Sequence, residues 1–491
     1  MRSIFGRFLI AAMGLSLLTP TAGFAQGTPG AQIIMPTPQP MPTSGGTPLP
    51  YPAYGTPAPD VARLKQKAGV PTSVSLQQAT KIAVALSPVF ASENAQWAAI
   101  HAKYSAEKQA LYPGVSGNAT IGKAYQNGTL QLSTAIPSAT PGSGIANTST
   151  TASETASITI QQLIYDGGRV IAAIHSAKSA DYSGRSTLLR NLQTLALNVA
   201  TAYYAVLQDN ATVVADAQLV KEFEVNEQSV VAQIRNGAAA RSDLAGAQFQ
   251  TAQARGNLVT AQGQAIGAQA TFATTLGLDA DVAVQPKPLQ TQAPTPNPAY
   301  AASLSRALLL RPDYIAAQYT VESDKEGLRY AKLARFPILT AGITDEVSRN
   351  FGLFTNNYLN SKTIGLNLAI PIYDQGQTNY NVAVAAATLD QAVAGLNQSR
   401  LQVESDVRSA LANLISARAL LVQTNSELTA AKVSLDATQA QYKVGATTII
   451  NVVTAEANLS TAQSDQIHAL YGVQNAQQNY LYATGTSDLQ L

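Results

Sequence analysis

The chain of 491 residues contains no cysteine, one tryptophan and three histidines, and only 12% of it is charged, against about 25% in an ordinary soluble domain. Without cysteine there are no disulfide staples, no thiolate-held zinc or iron–sulfur centre, no thiol nucleophile and no lipid anchor on an N-terminal cysteine. His101, His175 and His468 stand far apart on three helical stretches with no ligand-like spacing, so neither a metal nor a cofactor is expected. Neither sign of charge prevails: 31 basic residues face 29 acidic ones, which excludes a basic face of the size nucleic acid requires. Beyond the first residues no run of about 18 apolar residues occurs, so no helix is expected to span a bilayer. A membrane role would have to use strands.

Arg2 and Arg7 precede the apolar run Phe8 to Leu18, and Gly23-Phe24-Ala25 supplies small residues where a signal peptidase reads. Residues 1–25 are therefore predicted to be a secretory signal. Losing its two arginines leaves 29 basic against 29 acidic residues. Residues 26–70 carry prolines from Pro29 to Pro59 and read as an extended linker of polyproline II character.

Chemistry-bearing motifs are few. Gly117 to Lys123 imitates a phosphate loop, but Ala124 replaces the needed Ser or Thr, and the segment reads as a strand. Ser105-Ala106-Glu107-Lys108 fits a Ser-x-x-Lys pattern without its companion motifs. No carboxylate pair stands out above surface charge, so an enzyme is not expected.

What is abundant is Ala, Gln, Leu and Val in long proline-free segments. Residues 168–234 contain only Gly184 after the opening Gly168, and residues 377–443 contain only Gly395. Each is long enough for a helix of about 100 Å at about 1.5 Å per residue. The second carries a heptad seam: Val393, Arg400, Val407, Leu414, Leu421, Leu428, Leu435 and Tyr442. Beside it run Leu396, Val403, Ala410, Ala417, Thr424, Ala431 and Thr438. Large residues on one line and small ones on the other suit close antiparallel packing.

The chain is duplicated. Tyr165-Asp166-Gly167-Gly168 matches Tyr373-Asp374-Gln375-Gly376 at an offset of 208, which also relates Gly237 to Gly445, Asp243 to Asn451 and Gly277 to Gly485. The first-half seam Leu192, Val199, Val206, Val213, Val220 and Ile234 falls in the same register. Upstream the offset becomes 224, relating Ser87-Pro88 to Arg311-Pro312 and Tyr112-Pro113 to Phe336-Pro337. The difference of 16 residues is assigned to Thr134 to Ser153, a Ser/Thr/Gly/Pro-rich stretch that reads as a loop. The halves are read as 71–277 and 303–485, with a proline-rich connection at 278–302 and a tail at 486–491.

Between the Pro and Tyr-Asp marks the apolar period changes to two. Ile364, Leu366, Leu368, Ile370 and Ile372 alternate with polar or small residues, as do Ile158 and Ile160, and Leu339, Ala341, Ile343 and Val347. Gly117 to Thr134 gives the weakest strand signal. Tyr112, Tyr125, Tyr165, Phe351, Phe354, Tyr358 and Tyr373 lie near strand ends, where a membrane barrel carries aromatic girdles. Four strands cannot close such a barrel, whose minimum is about eight, so several copies must combine. This physics permits two, three or more. A periplasmic coiled-coil scaffold or adaptor is the rival reading, but it has no use for amphipathic hairpins.

These marks together resemble the TolC family of outer-membrane efflux and secretion channels. The likeness is carried by Leu368-Ala369-Ile370-Pro371-Ile372-Tyr373-Asp374-Gln375-Gly376 and by Tyr442-Lys443-Val444-Gly445 followed by Asn451-Val452. The resemblance implies a mainly α fold with transmembrane β. Long antiparallel helices would form a coiled-coil barrel across the periplasm and continue into a β-barrel of four strands per protomer, in a homotrimer. It implies a passive duct that meets outer-membrane lipid, docked to a periplasmic adaptor and an inner-membrane transporter. Gly237 and Gly445 would make the two periplasmic turns. Pro113 and Pro337 would end helices where strands begin, and Asp166 with Gly168, and Asp374 with Gly376, would cap the long helices. Asn451 and Thr454 are neutral where family members carry an acidic ring. Asp243 keeps an acid: either Tyr442 hydrogen-bonds to it and holds the tip closed, or Asp243 merely caps its own helix beside a solvated turn.

Overall fold

The computed structural model describes residues 73–130, 145–237, 240–288, 296–351 and 356–486. The expected signal segment 1–25 and the expected linker 26–70 lie outside the described residues. The chain divides into two compact units. One takes the described parts of 118–156 and 347–359; the other takes 73–117, 157–346 and 360–486 as far as they are described.

The duplication is visible as pairs of helices of equal length. In the first half α1 (Leu76–Leu86), α2 (Pro88–Gln109), α3 (Arg169–Arg235) and α4 (Arg241–Thr275) contain 11, 22, 67 and 35 residues. In the second, α5 (Tyr300–Leu310), α6 (Pro312–Leu333), α7 (Gln377–Lys443) and α8 (Ile449–Ala483) repeat those lengths: 11, 22, 67 and 35. Local chemistry sets the boundaries. Ser75 and Gln78 form a reciprocal capping box at the start of α1. Pro88 and Pro312 open α2 and α6, where a missing N–H costs nothing.

The strands are β2 (Gly114–Leu130), β3 (Ile145–Tyr165), β5 (Ile338–Phe351) and β6 (Asn356–Ala369), lying in one sheet in the order β2-β3-β5-β6. Two-residue strands β1 (Ser73–Val74) and β4 (Gln285–Pro286) pair in parallel. So the expected 278–302 connection holds a strand at β4, and α5 begins within it at Tyr300.

Two strand boundaries differ from expectation. Of the expected loop Thr134 to Ser153, residues 134–144 lie outside the described residues, but 145–153 belong to β3. That stretch has no Gly or Pro, and its threonines favour extended backbone. Conversely, the alternation to Ile372 overshoots, because β6 ends at Ala369. Pro371 follows and has no N–H to give a ladder.

The helical core is built around α3. Val199, Tyr203, Val206, Phe272, Leu276 and Val284 are buried together, and the Tyr203 hydroxyl donates to the Lys287 carbonyl at 2.8 Å. The heptad seams are seen directly. Leu192, Val199, Val206 and Val220 are buried on α3, and Val403, Val407, Ala410, Leu414, Thr424 and Leu435 on α7. Arg400 leaves its seam for solvent and pairs with Glu404 at 3.2 Å. Leu401, Leu420, Val422 and Val433 of α7 are exposed.

Candidate functional site

The sheet has one polar and one apolar face. Thr159 of β3 and Thr344 of β5 share a hydrogen bond of 3.3 Å across the polar face. Residues one step away point oppositely. Val115, Ile158, Ile160, Ile164, Ile343, Ile364, Leu366 and Leu368 thus project from the apolar side and are exposed, Ile364 at 79% and Leu366 at 73%. Toward higher numbers on β5 the same face carries a 3.4 Å ion pair, Lys362 with Asp345. The outer strands β2 and β6 each have a neighbour on one side only.

The junctions below the strands are duplicated in detail. Asp166 accepts from the Gly168 N–H at 2.9 Å and the Val170 N–H at 2.5 Å. Asp374 accepts from the Gly376 N–H at 3.1 Å and the Thr378 N–H at 2.8 Å. The aspartates do cap the long helices, but from two positions before the N-cap. The N-caps are Gly168 and Gly376, left-handed at φ 86° and 85°. The bonds from Thr378 pull the Asp374 carboxyl below its ordinary value. Pro113 and Pro337 stand one residue before β2 and β5.

One position breaks the symmetry. Gly167 has φ 71°, and a Cβ there would lie 2.4 Å from Phe336 Cβ. Its counterpart Gln375 adopts φ 56° with a side chain. Gly167→Ala is expected to cost about 3 kcal/mol, combining left-handed strain of about 1–2 with overpacking of about 1–3. Gln375→Ala should be near neutral. Thermal midpoints of the two variants check this.

At the far ends of the long helices, Gly237 and Gly445 turn the chain at φ 72° and 76°. Their N–H groups donate to the Ile234 and Tyr442 carbonyls, each at 3.0 Å. The expected hydrogen bond between Asp243 and Tyr442 is not formed. Asp243 instead accepts from the Ala240 N–H at 3.3 Å, capping α4. The Tyr442 hydroxyl is buried without a partner, and its pKa is raised by burial first and the Asp243 charge second. Asn451 donates to Thr447 Oγ1 at 2.7 Å, and Thr454 to the Ile450 carbonyl at 2.9 Å. Both are exposed, so this turn presents neutral side chains to solvent.

Several buried polar groups, Arg311, Arg190 and Glu456 among them, carry no role in the sequence reading. Arg311, 2% exposed, donates to Asp313 at 3.0 and 2.6 Å and to Asp406 at 2.8 Å. Beside it Arg190 donates to the Tyr482 carbonyl at 2.9 Å and stacks on that ring at 3.5 Å. Glu456 is buried on α8. The sequence signal for Glu456 was its place four residues after Val452 and three before Leu459, on the apolar side of the helix. For Arg311 it was the Arg-Pro-Asp run opening α6. The histidines sit beside carboxylates: His101 is 3.2 Å from Asp181 and His175 is 4.0 Å from Glu326.

An exposed apolar strand face, open sheet edges and long paired helices fit a subunit of a membrane channel. The family described as outer membrane efflux protein matches residues 65–278 and 303–486, and the chain belongs to it. Membership makes it an outer-membrane efflux protein, a channel component. Outer membrane efflux protein BepC of Brucella suis is 24% identical over 333 residues, covering 67% of this chain and 72% of BepC. Outer membrane protein TolC of Escherichia coli is 27% identical over 349 residues, covering 68% of this chain and 70% of TolC. In fold, the chain is similar to the outer membrane protein VceC of Vibrio cholerae, with a TM-score of 0.69 at 17% identity over 84% of this chain and 96% of VceC.

Proposed function

We propose that three copies of this chain form a passive duct through the outer membrane and periplasm. Each contributes four strands to one closed barrel, and the helices continue it toward the inner membrane. The duct carries small molecules or exported polypeptides outward. A periplasmic adaptor and an inner-membrane transporter dock at the helical turns, and the transporter supplies the energy.

The observation that carries this reading is the sheet. Its two outer strands have unpaired edges, which lipid does not tolerate, so further strands must pair there. Its apolar face is bare along Ile158, Ile160, Ile364, Leu366 and Leu368, which suits hydrocarbon rather than water.

Native mass spectrometry of detergent-extracted outer membranes is expected to give a species of three chains, which shifts on a gel when heated. A monomeric closed barrel, or a single chain recovered from the periplasmic fraction, overturns the proposal. Co-purification of an inner-membrane transporter with the tagged chain tests the docking.

A further inference from the structure

The seam between α3 and α8 holds a carboxyl group that neither barrel closure nor conduction requires. Glu456 of α8 is 3% exposed and stands beside the cluster of Val452, Ala455 and Leu459. Its Oε1 accepts from Asn226 Nδ2 of α3 at 3.0 Å. Its Oε2 is buried with no hydrogen-bond partner. An ionised carboxylate left half-unpaired in such a place is unfavourable, whereas a neutral one is tolerated.

The surrounding charges do not relieve it. The charge that acts on Glu456 is that of Glu222, one turn earlier on α3, and it is also negative. On α4 the cation Arg255 is held by Glu224 at 2.7 Å. On α7, Lys432 and Asp436 flank buried Leu435 and face solvent. On α8 itself the next titratable groups are Asp465 and His468, more than two turns away, and His468 lies toward Asp209.

We propose that Glu456 is a proton-operated latch between the two helical hairpins: neutral, it lets α8 lie against α3, and ionised, it drives them apart. This rests on the duct reading only for its consequence, a wider entrance between the turns. Burial, and after it the Glu222 charge, pushes the Glu456 carboxyl up to about 7, against the opposing pull of the Asn226 bond. In an opened, hydrated seam the group returns toward its ordinary 4.5. The closed seam therefore binds the proton more tightly. Its advantage is complete below the ordinary value, falls about tenfold per pH unit as pH rises, and is gone above the buried value. Between roughly pH 5 and pH 7 the ratio of closed to open seams falls on the order of a hundredfold.

The test follows hydrogen exchange over residues 449–470 of the assembled full chain between about pH 5 and pH 8, corrected for the intrinsic rate. In the parent, protection is expected to fall on the order of a hundredfold across that range. Glu456→Gln keeps an acceptor for Asn226 and cannot ionise, so protection should hold at high pH. Glu222→Gln should make the fall shallower. Planar-bilayer conductance of the parent should rise over the same range, and that of Glu456→Gln should not. A Glu456→Gln profile that tracks the parent, or a parent with no pH response, overturns the latch. If Glu456→Gln does not assemble, an unchanged slope in Glu222→Gln overturns it equally. A parent that forms no channel at all sinks the duct reading instead, and the exchange result still decides the latch.

Discussion

Arg311→Ala is expected to lower the stability of the folded chain by about 3 kcal/mol, at the low end of the cost of removing one partner from a buried ion pair. The low end applies because Asp313 and Asp406 keep 33% and 32% of their side chains in water, whereas Arg311 keeps 2%. The guanidinium ties three elements. It forks onto Asp313 in α6, reaches Asp406 in α7, and lies 3.5 Å from the Ala483 carbonyl at the end of α8. Removing it leaves Asp406 without its cation and Asp313 with Arg190 alone, at 3.7 Å, and takes a donor from the Ala483 carbonyl. Arg311→Lys retains the charge but supplies no planar fork, and should recover less than half of the loss.

The pH dependence separates this ion network from simple packing. Burial pushes the Asp313 carboxyl up. The Arg311 hydrogen bonds, with the Arg190 and Arg311 charges, outweigh that and hold it below the ordinary range. A depressed carboxylate stabilises the fold above its ordinary pKa, and the contribution is lost as pH falls through the lower folded value. The parent should therefore lose stability below about pH 4, and Arg311→Ala should lack that part of the acid sensitivity. Unfolding midpoints of parent and variant between about pH 3 and pH 7 check both statements. A variant with the parent's midpoint would mean that the network contributes nothing net.

The large periods were legible because they are repeated. A 67-residue helix appears twice, at an offset that is not a multiple of seven, so the register match between Leu192 and Arg400 could not come from periodicity alone. Turn glycines Gly237 and Gly445 were readable because a left-handed residue between antiparallel helices wants no Cβ. Strand ends were less so. The alternation through Ile372 obscured the stop at Ala369, and the Ser/Thr stretch 145–153 looked like a loop because polar strands and loops share composition. The site chemistry was least legible. Whether Asp243 reaches Tyr442 or caps its own helix depends on a few ångströms between two turns, which spacing does not encode. Arg311 and Glu456 had no assigned role until the packing of α6, α7 and α8 was seen to bury them.

In the proposed barrel, Leu366→Arg is expected to cost about 2–4 kcal/mol per chain, as an arginine does on the lipid face of a membrane strand near its middle. Leu366 belongs to the band that begins next to the Asp345–Lys362 pair and continues to Leu368. Its neighbour Asn367 points to the opposite, polar face, the side on which Thr159 meets Thr344. Asn367→Arg therefore places the same charge one residue away on a face that water can reach, and should assemble almost as the parent does. Both variants introduce the same side chain, so the comparison turns on the face that receives it. The amount of heat-modifiable assembled protein in the outer membrane is the measurement, with Leu366→Arg strongly reduced and Asn367→Arg close to the parent. Equal loss in both would mean that the two faces share one environment, as in a scaffold whose strands never enter lipid. Because the penalty is paid in every copy of the chain, the assembled form should respond more steeply than any single chain does.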